Sequence, residues 1–136
     1  LDARLDGADW DVALATERSR GTLPPGPLGE RILADVRPTV DDLVAVATPE
    51  RGGVQAIARD VHVELDDGRT VTGTVSQLYC AAVVTVTFSR LAPKHRLASW
   101  VRAVGLAASY QHDGSSVSIG RGRQRREAGI SRIGPI

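Results

Sequence analysis

The sequence predicts an α/β fold of the α+β kind, and three observations carry that reading. Val61, Val63 and Leu65, then Val71, Gly73 and Val75, then Val84, Val86 and Phe88 each alternate with polar residues. A period of two marks strands that bury one face. Asp66-Asp67-Gly68, between the first two runs, is turn chemistry. From Pro93 the period becomes helical, with Leu97, Trp100, Val101, Val104 and Ala108 at i, i+3, i+4, i+7 and i+11. The expected order is a helix, a three-stranded meander, a second helix and a short strand.

Each element has its own signal. Residues 1–20 read as a short helix, with Asp9 as N-cap and Trp10 and Leu14 one turn apart. Leu23-Pro24-Pro25-Gly26-Pro27-Leu28-Gly29 excludes regular structure, because its prolines fix φ and remove donors. The helix expected next carries Leu28, Ile32, Val36, Val40, Leu43, Val44 and Ala47 on one face. Pro38 is expected to kink or divide it, and a loop at Thr48–Gly53, with Pro49 and Gly52-Gly53, to end it.

The first hairpin can be set in register. A two-residue loop at Asp67-Gly68 would put the apolar sets of the two strands on opposite faces. A three-residue loop, Asp66-Asp67-Gly68, sets Val63 opposite Val71 and Val61 opposite Gly73, and the faces then agree. That predicts a type I turn with Gly68 left-handed. Gly73 in mid-strand suggests a close approach of backbone or a neighbouring helix.

The helix at Pro93 starts with a residue suited to a first turn. Lys94, His95 and Arg96 crowd that turn, where the helix dipole disfavours cations. They read either as a contact for an anion or partner, or as exposed charge whose aliphatic stems cover Trp100. Trp100 is expected to be buried against Val84, Val86 and Phe88. After a polar turn at Gln111–Ser116, Val117 and Ile119 suggest a strand ending at Gly120. Beyond it Leu, Val and Ile are too sparse for another packed element. The expected organisation is residues 1–22 as linker and short helix, 23–120 as the α/β core, and 121–136 as a basic, mobile tail.

At 136 residues the chain is expected to form one domain. Apolar residues make up 42% but aromatics only 4%, so the core must be mostly Val, Leu, Ile and Ala. The lone Cys80 excludes an internal disulfide, reads as a small buried side chain and fits a reducing, cytoplasmic setting. No apolar run approaches the ~20 residues of a membrane span. The absence of Met, even at position 1, reads as a piece of a longer protein.

Net charge is +1 but unevenly placed. Residues 1–89 hold 8 basic against 14 acidic residues, and residues 90–136 hold 9 against 2. Such asymmetry suggests a basic face for an anionic partner, or else a solvated tail. The residues of such a basic face are Arg90, Lys94, His95, Arg96 and Arg102, followed by Arg121, Arg123, Arg125 and Arg126. Motifs for catalysis are missing: no zinc cluster, no phosphate-binding loop, no Gly-x-Ser-x-Gly. His62, His95 and His112 are scattered, and Asp66 and Asp67 serve a turn.

Three stretches together resemble the C-terminal region of RecC, the gamma subunit of exodeoxyribonuclease V. They are Leu23 to Gly29, then Leu65-Asp66-Asp67-Gly68-Arg69-Thr70-Val71-Thr72-Gly73-Thr74-Val75, then Ser89-Arg90-Leu91-Ala92-Pro93-Lys94-His95-Arg96-Leu97-Ala98-Ser99-Trp100. The resemblance spans roughly residues 10–122. It implies a degenerate PD-(D/E)XK nuclease-like fold. Active nucleases of that kind carry Gly-x-x-Asp on the second strand and Asp-Tyr-Lys on the third. Here the aligned residues are Ser76 on the second strand and Thr87-Phe88-Ser89 on the third. Metal-assisted phosphodiester hydrolysis needs carboxylates for Mg²⁺, and in this family a Lys near the attacking water. Ser76, Thr87 and Ser89 supply neither charge.

The resemblance therefore implies a non-catalytic domain with a structural and DNA-guiding role, no cofactor, RecB-like and RecD-like partner subunits, weak non-specific DNA contact and no membrane. The alternatives are an active metal-dependent nuclease using other carboxylates, and an unrelated protein-interaction domain. Where RecC proteins continue with another helix and a strand-like end, the residues after Gly120 match nothing identifiable.

Overall fold

Five strands form one sheet in chain order: β1 (Ile57–Glu64), β2 (Thr70–Tyr79), β3 (Ala82–Arg90), β4 (Ser115–Arg121) and β5 (Ala128–Ile133). They come from a computed structural model that describes residues 1–80, 82–110, 114–122 and 127–135. Neighbouring strands are antiparallel except β3 and β4, which run parallel. A parallel pair needs a crossover, and the helix α4 (Pro93–Tyr110) provides it. Three helices precede the sheet: α1 (Asp2–Leu5), α2 (Trp10–Ser19) and α3 (Pro27–Arg51). The α/β class, with its helix, meander, helix and strand, is as the sequence predicts.

The hairpin register is also as predicted. Val63 pairs with Val71 and Val61 with Gly73. Leu65 accepts from the Gly68 N–H and donates to the Arg69 carbonyl, and Gly68 has φ +79°. Asp9 caps α2 by accepting from the Val12 N–H at 2.9 Å. The guanidiniums of Arg4 and Arg37 each stand 5.2 Å from the centre of the Trp10 ring, while its indole N–H donates to Asp41. That clasp ties α1 and α2 to α3.

Helices cover both faces of the sheet. Leu43 and Ala47 of α3 pack with Tyr79, Val84, Val117 and Ile119, and Val86 and Phe88 join that side. Leu106 of α4 packs on the other face with Val61, Val75, Leu78 and Val83. Val83 and Val84 are both fully buried, so β3 is interior on both faces.

Five expectations are corrected. First, α3 begins at Pro27, inside the stretch expected to exclude regular structure, and is neither divided at Pro38 nor ended at Thr48; it passes both Pro38 and Pro49 and stops at Gly52, which is left-handed at φ +62°. Pro38 stands on the exposed side of a helix whose opposite stripe, Val40, Leu43 and Ala47, is buried, Leu43 and Ala47 against the sheet. Second, Trp100 is not buried against Val84, Val86 and Phe88. Those residues face α3, and Leu97, Trp100 and Val101 are 61%, 44% and 55% exposed. The helix instead buries Ser99, Ala103 and Leu106, which recur with the same helical spacing. Small side chains let α4 lie close: a Cβ on Gly105 would stand 3.1 Å from Val61 Cγ1.

Third, that close approach belongs to Gly105, not to Gly73, whose absent Cβ would meet nothing within 4 Å. Fourth, Cys80 is exposed, because it occupies the turn between the paired residues Tyr79 and Ala82. Fifth, a packed element does follow Gly120. β5 pairs with β4 from Arg121↔Ala128 to Ser116↔Ile133, and Ala128 and Ile130 pack on the α3-side core. An edge strand needs few apolar residues when its neighbour offers a free row of backbone groups. Among the described residues no helix is long and apolar enough to cross a membrane.

Candidate nucleic-acid interface

The site grows from an irregularity in β3. Val86 pairs with Ile119 and Arg90 with Arg121, so Thr87, Phe88 and Ser89 stand opposite Gly120 alone. Extra residues in one strand form a bulge, which re-aims side chains and bends the strand. The Ser89 N–H donates to Thr87 Oγ1 at 3.2 Å, closing the bulge on itself. Gly120 permits the approach, since a Cβ there would stand 2.9 Å from the Ser89 carbonyl oxygen.

Alternation then sorts chemistry between the two faces. Val84, Val117 and Ile119 are buried toward α3. Thr85, Thr87 and Ser118, out of phase with them, border a pocket of about 300 Å³ under the start of α4. Thr85 Oγ1 lies 3.4 Å from both the Ser118 hydroxyl and the Val117 carbonyl. From α4, Lys94, His95 and Arg102 close the pocket with Ala98. Residues 95, 98 and 102 fall on one helical stripe, which puts them over the same strands. Among the described residues no Asp or Glu lines the pocket.

The structure thus brings together four of the residues singled out in sequence: Thr87, Lys94, His95 and Arg102. Arg90 and Arg96 are exposed outside it. Arg121, opposite Arg90 in the β3–β4 pair, holds its guanidinium 5.0 Å from the Phe88 ring centre. Ser76 lies on the exposed part of β2 and does not line the pocket. Arg123, Arg125 and Arg126 lie outside the described residues. Sequence reasoning missed Thr85 and Ser118. The signal was present in Val84-Thr85-Val86 and Val117-Ser118-Ile119, whose polar members had to face something. Among the described residues no three His, Cys, Asp or Glu side chains converge as metal ligands.

Comparison with known proteins meets this geometry. The family model described as "RecC C-terminal domain" matches residues 1–131. The chain belongs to the RecC C-terminal domain family. It is 43% identical over 122 residues to the "RecBCD enzyme subunit RecC" of Mycobacterium tuberculosis strains CDC 1551 and H37Rv, covering 89% of this chain and 11% of each relative. It is likewise 43% identical over 118 residues to the "RecBCD enzyme subunit RecC" of Mycolicibacterium smegmatis, covering 86% of this chain and 11% of that relative. The chain therefore spans about a tenth of the RecC relatives it matches.

Proposed function

We propose that this RecC-type domain is a non-catalytic part of a helicase–nuclease that processes double-strand DNA ends, with a structural and strand-guiding role. Its partners in this reading are RecB-like and RecD-like subunits and DNA, its compartment is the cytoplasm, and it takes no cofactor. The observation that carries the reading is the β3 bulge. Where the nuclease-like resemblance calls for a carboxylate and a lysine, the bulge has Thr87 and Ser89, and the ionisable side chains around Thr87 are Lys94, His95 and Arg102. Cations hold a phosphate backbone directly but cannot hold Mg²⁺. Lys94, Arg96 and Arg102 form no ion pair among the described residues, so their charge is available to a partner. The structural half of the reading is supported by the exposed apolar stripe Leu97, Trp100 and Val101, a surface of the kind found where proteins meet.

Two measurements test it. The chain is incubated with linear duplex and single-stranded DNA and Mg²⁺ or Mn²⁺; no degradation above a mock preparation is expected, and degradation would sink the non-catalytic reading. DNA binding is expected in the ~10⁻⁴–10⁻⁶ M range at physiological salt and without sequence preference, with a log–log salt slope near −0.9 per phosphate neutralised on duplex. Affinity indifferent to salt between roughly 50 and 200 mM would remove the guiding role.

A further inference from the structure

We propose that the pocket between β3, β4 and the first three turns of α4 is a seat for one phosphate group of a nucleic-acid strand. This rests on the strand-guiding reading and narrows it from a charged face to a built site. Among the described residues the pocket gathers donors with no acceptor charge: Lys94, Arg102 and His95 from α4, and the hydroxyls of Thr85, Thr87 and Ser118 from the strands. An ammonium, a guanidinium fork and hydroxyls are the groups that recognise phosphate oxygens.

Two internal features show that these donors exceed their partners. His95 Nε2 is buried and has no hydrogen-bond partner among the described residues. Ser118 is only 3% exposed, and its hydroxyl finds no more than the 3.4 Å approach of Thr85 Oγ1, at the long limit of a hydrogen bond. Buried polar groups are ordinarily satisfied, and a phosphate oxygen is an acceptor that would satisfy them.

Size and approach agree with one phosphate. A volume of about 300 Å³ is at the small end of ligand pockets, so it admits a phosphate with part of its sugar and no stretch of duplex. Arg90, exposed at the end of β3 next to Leu91 of the pocket, and Arg96, exposed on α4 next to His95, add positive charge near it in sequence.

The phosphate could be an internal diester or a terminal monoester, and the test separates them. Calorimetric titration of the full 136-residue chain uses inorganic phosphate, an oligothymidylate with a 5′-phosphate, and the same oligonucleotide without it. The proteins compared are the parent, Lys94→Gln, Lys94→Gln/Arg102→Gln, and Arg31→Gln as a change on α3 that matches Lys94→Gln in charge. Lys94, Arg102 and Arg31 are all exposed, so the variants are expected to keep the parent's melting temperature.

The double variant is expected to bind both oligonucleotides about tenfold more weakly than Arg31→Gln does, with Lys94→Gln between them. Equal loss for the two oligonucleotides assigns the seat to an internal phosphodiester. Loss confined to the 5′-phosphorylated one assigns it to a strand end. Oligonucleotides bound equally well by the double variant and Arg31→Gln would overturn the pocket while leaving strand guiding intact. Inorganic phosphate bound by the parent and lost in the double variant, with neither oligonucleotide bound by any form, would overturn strand guiding and the strand as the phosphate's source. Failure of the parent to bind all three would overturn both.

Discussion

Gly120 of β4 lies so close to Ser89 of β3 that a Cβ at position 120 would stand 2.9 Å from the Ser89 carbonyl oxygen. The same atom would meet Thr87 Cγ2 at 3.1 Å and Leu91 Cβ at 3.3 Å. One of those neighbours is backbone, so a side chain cannot enter by rotating a rotamer aside. The bulge at Thr87, Phe88 and Ser89 exists only because β4 presents hydrogen there. Gly120→Ala is expected to cost about 1–3 kcal/mol, the range of overpacked interiors, and to lower the urea midpoint with little change in slope. A variant as stable as the parent would mean that β3 and β4 separate more readily than their pairing implies.

The exposed face of α4 sets up a comparison within one helix. Leu106 is 1% exposed and Trp100 44%. Leu106→Ala is expected to cost about 2–5 kcal/mol, as buried leucines do. Trp100→Ala, although it removes the larger side chain, is expected to cost about 1 kcal/mol or less in the isolated chain. Denaturant melts of the two variants decide the helix phase, because the reverse ranking would rotate α4 by nearly half a turn.

Cys80 has φ +50°, the one positive value among the described residues other than glycine. The left-handed region crowds any Cβ, and glycine escapes that cost. Cys80→Gly is therefore expected to stabilise the fold by up to about 1 kcal/mol. Thermal denaturation under reducing conditions measures it, and a lower melting temperature would show that the thiol contributes packing that outweighs the strain.

What could be read in advance was what depends on neighbours in sequence. The Asp66-Asp67-Gly68 turn fixed its own register because only one loop length puts Val61, Val63 and Val71 on a common face. The Asp9 cap needed only the residues after it. The phase of α4 was out of reach, since Leu97, Trp100 and Val101 repeat with the same period as Ser99, Ala103 and Leu106. Which stripe turns inward depends on a sheet whose larger apolar face is already taken by α3. β5 was invisible for a related reason: Ala128, Ile130 and Ile133 make a strand only beside the free edge of β4. Two of the six polar residues of the candidate site, Lys94 and His95, lay in a legible cluster. Thr85 and Ser118 joined it through a parallel pairing between residues 33 apart.

Among the described residues β2 and β3 pair only at Leu78↔Val83 and Tyr79↔Ala82, beside their turn. Beyond it, β1 and β2 leave the sheet as an arm paired mainly with itself. What fastens that arm is the far end of α4: the Ser109 hydroxyl accepts from the His62 N–H and donates to the His62 carbonyl, and the Tyr110 hydroxyl donates to the Asp60 carbonyl. The arm should then open as a cooperative unit of its own, at lower free energy than the β3–β4–β5 slab. In native-state amide exchange, the ladder between Val63 and Thr72 is expected to lose protection first, and Ser109→Ala to speed that loss without touching the amides of Val84 or Ile119. Uniform protection across all five strands would contradict it. A crossover helix would thus act as a tether at one end while its other end presents the cationic pocket, so that loosening the arm leaves Lys94, His95 and Arg102 in place.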